Sequence, residues 1–215
     1  GHGDSDWSEE SNYGVEHHIK DVDAFTDAIG YDRFILVGLS MGGRNSFTFA
    51  AAYPHKVSSM IICDVGPEIM VEGSRHIQEF MEGTYEFESY DWLVQRVRQY
   101  NPRRSEEQIR GSLLNNLKKL PDGRWTWKHD RRRGIGRDRG GEITDDAWNA
   151  VRGVKCPTLI VRGAESNIFS PRTASQMLEA IEISTLVEIP KAGHLVQGDN
   201  PVEFEKAART FLSKL

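Results

Sequence analysis

Apolar positions in the first third of this 215-residue chain change their period twice. Val15, Ile19, Val22, Phe25 and Ile29 step by four, three, three and four, which predicts an amphipathic helix with one apolar stripe, stopped at Gly30. Phe34-Ile35-Leu36-Val37 is a continuous apolar run, too short for a helix; it predicts a strand buried on both faces, as parallel strands are. A helix over Asn45–Ala52, ended by Pro54, and a second buried strand over Val57–Cys63 follow.

After Gly66 the pattern turns helical, charged and aromatic and stays so to about Val154. Trp92, Leu93, Val97 and Tyr100 fit one helix face. Ser105-Glu106-Glu107-Gln108 reads as a capping box opening a helix that carries Ile109, Leu113, Leu117 and Leu120, and Pro121-Asp122-Gly123 as a turn. Arg131–Gly141 is Gly/Arg-rich and reads as loop. Alternation then returns: strand Thr158–Val161, helix Pro171–Ala180, strand Leu186–Ile189, and a last helix capped by Asn200-Pro201 and carrying Phe204, Ala207, Ala208, Phe211 and Leu215. This order predicts an α/β chain with a mostly parallel sheet flanked by helices. Residues 1–66 and 155–215 form its core, and 67–154 form an inserted helical cap, with Trp92, Trp125, Trp127 and Trp148 in the core of that cap.

Composition narrows the function. With 27 Lys+Arg against 32 Asp+Glu the net charge is −5, which gives no reason to expect nucleic acid or an anionic membrane as partner. No apolar stretch is long enough to span a bilayer and no leader is visible, so a cytoplasmic protein is the expectation. Cys63 and Cys156, the two cysteines, read as reduced packing residues. Nothing shows metal-ligand spacing, and Gly134, Gly136 and Gly140 do not make a dinucleotide fingerprint, so no metal and no cofactor are expected.

The chemistry concentrates where strands end. Gly38-x-Ser40-x-Gly42 lies where a buried strand turns directly into a helix, a turn so tight that flanking side chains would collide. Ser40 is the candidate nucleophile, and the backbone N–H of Met41, at the positive end of the following helix, is the candidate oxyanion donor. A serine needs a base. Of the seven histidines, His194 stands in the loop between the last strand and the last helix, on the sheet edge where Ser40 lies. His17, His18, His55, His76 and His129 read as solvated helix or turn residues. A carboxylate should orient the imidazole, and two are in range. Asp64 ends the strand after the nucleophile; Glu165 follows the strand Thr158–Val161. Arg131, Arg132, Arg133, Arg137 and Arg139 read either as a solvated loop or as recognition of a substrate carboxylate or phosphate.

The segments Gly38-Leu39-Ser40-Met41-Gly42-Gly43, Cys63-Asp64-Val65-Gly66-Pro67-Glu68, Pro157-Thr158-Leu159-Ile160-Val161-Arg162-Gly163-Ala164-Glu165-Ser166 and Gly193-His194-Leu195-Val196 resemble the α/β-hydrolase superfamily. The resemblance implies the α/β-hydrolase fold, with a helical cap shaping the pocket for a small-molecule substrate. The opening Gly1-His2-Gly3-Asp4-Ser5 is similar to a loop after an early strand of that fold. The resemblance therefore implies further strands, and a His-Gly oxyanion loop, ahead of Gly1, so that the chain reads as truncated at its N-terminus. The superfamily often places its acid where Glu165-Ser166-Asn167 stand here; some members, among them haloalkane dehalogenases and certain amide-cleaving relatives, place it where Asp64 stands, which favours Asp64. Serine at position 40 argues against dehalogenase and epoxide-hydrolase chemistry, which needs aspartate there.

The expected activity is hydrolysis of an ester or amide through an acyl-enzyme. The rivals are carbon–carbon bond hydrolysis or cofactor-free perhydrolase/haloperoxidase chemistry on the same scaffold, and a non-catalytic binding protein or inactive fragment.

Overall fold

A computed structural model describes residues 1–81, 85–132 and 145–215. The elements, in chain order, are α1 Val15–Ala28, β1 Phe34–Leu39, α2 Met41–Ala52, β2 Val57–Cys63, α3 Val71–Met81, β3 Glu86–Phe87, α4 Tyr90–Tyr100, α5 Glu106–Leu114, β4 Leu117–Lys119, β5 Trp125–Trp127, α6 Asp145–Gly153, β6 Thr158–Gly163, α7 Pro171–Ala180, β7 Ser184–Ile189, α8 Val196–Asp199 and α9 Pro201–Leu212. The chain divides into two compact units, Gly14–Ser74 with Gly140–Leu215, and Gly1–Tyr13 with Arg75–Arg139.

The first unit is built on a four-stranded, wholly parallel sheet in the order β1-β2-β6-β7. Strand side chains alternate between faces. Met60, Ile62 and Ile160 point into one cluster with Phe47, Phe49, Trp148, Val151, Phe169 and Met177 from α2, α6, α7 and the loop before α7. Ile61, Cys63, Leu159 and Val161 point into the other, against Val196 and, at its margin, Phe204, Ala207 and Phe211 of α9. β2 and β6 are therefore the continuously buried strands. β1 departs from expectation. Phe34 and Leu36 pack on the first cluster, but Ile35 and Val37, on the opposite face, are 47% and 60% exposed. β1 is an edge strand of this sheet, and on that face its last residue, Leu39, packs at the margin of the second cluster. The stripe of α1 is likewise shorter than its sequence period: Ile19 and Val22 pack inward, whereas Phe25 and Ile29 are exposed.

The second unit is not wholly helical. α4 and α5 pack Leu93, Val94, Ile109 and Leu113 against Phe87 and Leu117, and a three-stranded antiparallel sheet, β3-β5-β4, closes the cluster with Trp125 and Trp127. The capping box forms: Ser105 Oγ accepts from Gln108 N and Gln108 Oε1 accepts from Ser105 N. Its helix stops at Leu114, because Asn115-Asn116 are weak helix formers and Leu117 is drawn into pairing with Trp127. Pro121-Asp122-Gly123 is the hairpin turn between β4 and β5, with Gly123 at φ +90°. Trp92, expected in this core, is 44% exposed; Trp148, expected beside it, instead lies in the core of the parallel-sheet unit on α6.

A buried carboxylate ties this second unit together. Asp130 accepts from the Tyr13 hydroxyl at 2.7 Å and from the Arg132 guanidinium, whose Nη2 reaches Oδ2 at 2.7 Å and also donates to Ser8 O. Arg131 pairs with Glu86. The guanidiniums expected either to be solvated or to read a substrate anion are thus, for Arg131 and Arg132, engaged with the chain's own carboxylates. Arg133, Arg137 and Arg139, with the remainder of the Gly/Arg-rich segment, lie outside the described residues.

The turn from β1 into α2 fixes where a glycine is required. A Cβ on Gly38 would lie 2.4 Å from Gly42 O, whereas one on Gly42 meets nothing within 4 Å. The crowding expected on both sides of Ser40 therefore falls on Gly38, not on Gly42. Accordingly Gly38→Ala lowers unfolding free energy by on the order of 1–3 kcal/mol, while Gly42→Ala is neutral or slightly stabilising; chemical denaturation of the two variants checks this. A second prediction concerns acid. The hydrogen bond from Arg132, aided by Tyr13, holds the Asp130 carboxyl well below the usual carboxylate range. In the unfolded chain it titrates near roughly 3.9, so its contribution is complete above that pH and drains away as pH falls below about 4. Thermal unfolding followed from neutral pH into acid should steepen there, and Asp130→Asn should be less stable at neutral pH and flatter in acid.

Candidate active site

Ser40 stands between β1 and α2 with φ 52° and ψ −121°, a backbone conformation costly for any residue with a Cβ. The surroundings hold it there. Its N–H donates to Cys63 O at 3.0 Å, tying the turn to the end of β2, and its carbonyl accepts from Arg44 N in the first turn of α2. Met41 is the first residue of α2, so its backbone amide lies at the positive end of that helix, beside Ser40.

Asp64 follows β2 directly, also at positive φ (50°), and is fully buried. Its N–H donates to Val161 O at 2.8 Å. Both carboxylate oxygens are engaged: Oδ1 accepts from Gly163 N at 2.9 Å, and Oδ2 accepts from Ser166 Oγ at 2.6 Å and faces His194 Nδ1 at 2.9 Å. A carboxylate can only accept here, so Nδ1 carries the proton and Nε2 is left as the basic ring nitrogen. The His194 side chain is 16% exposed.

The loop that carries His194 is itself held at several points. Ala164 N donates to Ile189 O and Glu165 N to Ala192 O, both at 2.9 Å, joining it to the turn after β6. Gly193 N donates to Asp199 Oδ2, and Asn200 Nδ2 to Pro190 O. The approach is close enough that a Cβ on Gly163 would sit 2.1 Å from Gly193 O.

Of the two carboxylates weighed from sequence, the one at His194 is thus Asp64. Glu165 lies on the neighbouring turn, exposed, and its backbone N–H braces the His194 loop. Cys63, beside the acid, is not a rival nucleophile: burial first, and then the Asp64 charge, push its thiol up to about 12. Cys156 is also buried and free. Among the described residues no group of three or more His, Cys, Asp or Glu side chains is placed to hold a metal ion, and no helix is long and apolar enough to cross a membrane.

Sequence reasoning passed over three residues at this site: Gly163, Ser166 and Arg162. Arg162 gave a signal, an arginine inside the apolar strand Thr158–Gly163; it is buried and donates to Phe169 O at 2.8 Å and Glu188 Oε1 at 2.6 Å.

Comparison with known proteins agrees with this fold. Residues 1–201 match the family model described as alpha/beta hydrolase fold. Over 208 residues the chain is 26% identical to Esterase Rv0045c of Mycobacterium tuberculosis, covering 94% of this chain and 68% of that protein. Over 212 residues it is 24% identical to 2-hydroxy-6-oxo-2,4-heptadienoate hydrolase of Pseudomonas putida, covering 94% of this chain and 71% of that one. The crystal structure of E-2-(acetamidomethylene)succinate hydrolase superposes with a TM-score of 0.87 at 27% identity, over 99% of this chain and 78% of that one. A parallel sheet flanked by helices, a strand–serine–helix turn and a family match across most of its length lead to one conclusion: this chain belongs, as a hydrolase, to the alpha/beta hydrolase fold family.

Proposed function

We propose that this chain hydrolyses an ester or amide bond of a small molecule through an acyl-enzyme. Ser40 Oγ attacks the carbonyl carbon while His194 Nε2 takes its proton. The carbonyl oxygen becomes an oxyanion beside the Met41 N–H at the start of α2, where the helix end favours negative charge. Asp64 keeps the proton of neutral His194 on Nδ1 and stabilises the imidazolium formed on attack. His194 then returns its proton to the leaving alcohol or amine. A water enters, His194 removes its proton as the water oxygen bonds to the acyl carbon, and the bond from that carbon to Ser40 Oγ breaks as His194 returns the proton to Oγ, releasing the acid. The observation that carries this reading is the hydrogen bond from His194 Nδ1 to a fully buried carboxylate, on the sheet edge where the strained Ser40 turn lies. The similarity to an esterase and to an amide-named succinate hydrolase supports the same bond class.

A second reading, hydrolysis of a carbon–carbon bond beside a ketone by the same three side chains, is favoured by the similarity to a hydroxy-oxo-heptadienoate hydrolase. Turnover of a ring-opened dienoate with no turnover of esters would decide for it.

Exposure to a fluorophosphonate should add one adduct to the parent by intact mass and none to Ser40→Ala; an unlabelled parent sinks the reading. With p-nitrophenyl esters, Asp64→Asn should reduce kcat by up to roughly 10⁴-fold, whereas Glu165→Gln should stay close to the parent. The reverse order would make Glu165 the acid.

A further inference from the structure

The turn after β6 carries Ser166, and its side chain reaches Asp64. Ser166 is buried, and its hydroxyl has a fully determined hydrogen-bond pattern. Its oxygen accepts from Ile168 N at 3.1 Å and Phe169 N at 3.2 Å. Two N–H donors thus fill the acceptor side of the oxygen, and its one proton goes to Asp64 Oδ2 at 2.6 Å. That oxygen is the one His194 Nδ1 bonds at 2.9 Å. With Gly163 N on Oδ1, the carboxylate is gripped from both ends and its plane is set.

The turn that presents Ser166 is shaped around one buried cation. Arg162 donates through Nε to Phe169 O at 2.8 Å, through Nη1 to Ala164 O at 3.4 Å and through Nη2 to Ser166 O at 3.4 Å, while Glu188 takes a further bond from Nη1. The planar fork gathers the carbonyls of Ala164, Ser166 and Phe169, and a point charge such as lysine could not. Ser166 N also closes back on Gly163 O at 2.9 Å.

We propose that Ser166 is a positioning residue of this active site: its hydroxyl, held by the Arg162-centred turn, fixes the Asp64 carboxylate so that it presents Oδ2 to His194. The proposal rests on the reading of Ser40, His194 and Asp64 given above. Ser166 touches no reacting atom; it acts through Asp64, as a hydrogen-bonded partner of an orienting group does. Without it, Oδ2 keeps only the imidazole, the carboxylate is held by Gly163 N at Oδ1 but loses its second fixed donor, and the direction of the His194 ring is less tightly set.

The test compares the parent, Ser166→Ala and Ser166→Thr, which keeps the hydroxyl, in two measurements on folded protein. The first is ester turnover. Ser166→Ala should lower kcat on the order of 10- to 100-fold, the worth of one hydrogen bond to a charged group, with KM changed by less than about twofold because no substrate contact is lost; Ser166→Thr should recover most of kcat. The second is the low-field proton resonance of His194 Nδ1–H, which needs no activity. It should be present in the parent and in Ser166→Thr, and broaden in Ser166→Ala as the proton exchanges faster with water. A Ser166→Ala protein with parental kcat and an unchanged resonance overturns the proposal. So does an equal loss in the Ala and Thr variants, which would assign the effect to packing. A parent lacking the resonance removes the His194–Asp64 bond on which the proposal stands. If Ser40 goes unlabelled and esters are not turned over, the hydrolytic reading fails, and the resonance alone still decides what Ser166 does.

Discussion

A carboxylate removed entirely from water is costly to hold, several kcal/mol even after relaxation, unless each oxygen finds a donor. Asp64 finds donors from three separate places: the N–H of Gly163 at the end of β6, the hydroxyl of Ser166 in the turn beyond, and the imidazole of His194 in the loop after β7. All three are available only if β2, β6 and β7 keep their register, with Cys63 opposite Val161 and Gly163 opposite Ile189. One residue of slip would turn every side chain to the other face and leave the charge unanswered. The satisfied carboxylate and the register of the sheet therefore stabilise each other, and the site's geometry follows from both.

The same logic explains the concentration of unusual backbone at this edge. Ser40 and Asp64 both sit at positive φ, which open solvent would not sustain. Each is held by a bond to a neighbouring strand end, Ser40 N to Cys63 O and Asp64 N to Val161 O. The strand-to-helix turn lifts Ser40 out of the strand, and the bend after Cys63 swings the Asp64 carboxylate toward β6. Local strain is offset by cross-strand hydrogen bonds, which hold Ser40 and Asp64 in place at this edge.

The second unit solves a similar problem with different parts. Its helices α4 and α5 share an apolar cluster with a small antiparallel sheet, and a buried aspartate, Asp130, is answered by Arg132 and Tyr13. That knot brings residues from the first thirteen positions beside residues near position 130, and Asp130 N donating to Gly1 O extends it.

Much was legible in the sequence because it depends on local period and on residue chemistry. The apolar runs that became β2 and β6, the strand–serine–helix turn, the capping box at Ser105, the caps of α7 and α9, and the His194 loop all follow from short-range rules. What the sequence left open was decided by neighbours distant in the chain. Ile35 and Val37 read as buried, but their exposure depends on what lies over one face of an edge strand. Leu117 read as helical, but pairing with Trp127 made it strand. Trp148 read as part of an inserted cap, yet α6 carries it into the core of the parallel sheet. Between Asp64 and Glu165 the chain offered only position; the choice required knowing which carboxylate three donors surround, and those donors lie 99, 102 and 130 residues from Asp64. The sequence by itself determined which side chains were capable of the chemistry and on which sheet edge they lie. Only the tertiary structure decided which acid meets the histidine, because hydrogen-bond satisfaction of a buried charge is a property of the assembled strand ends and not of any one segment.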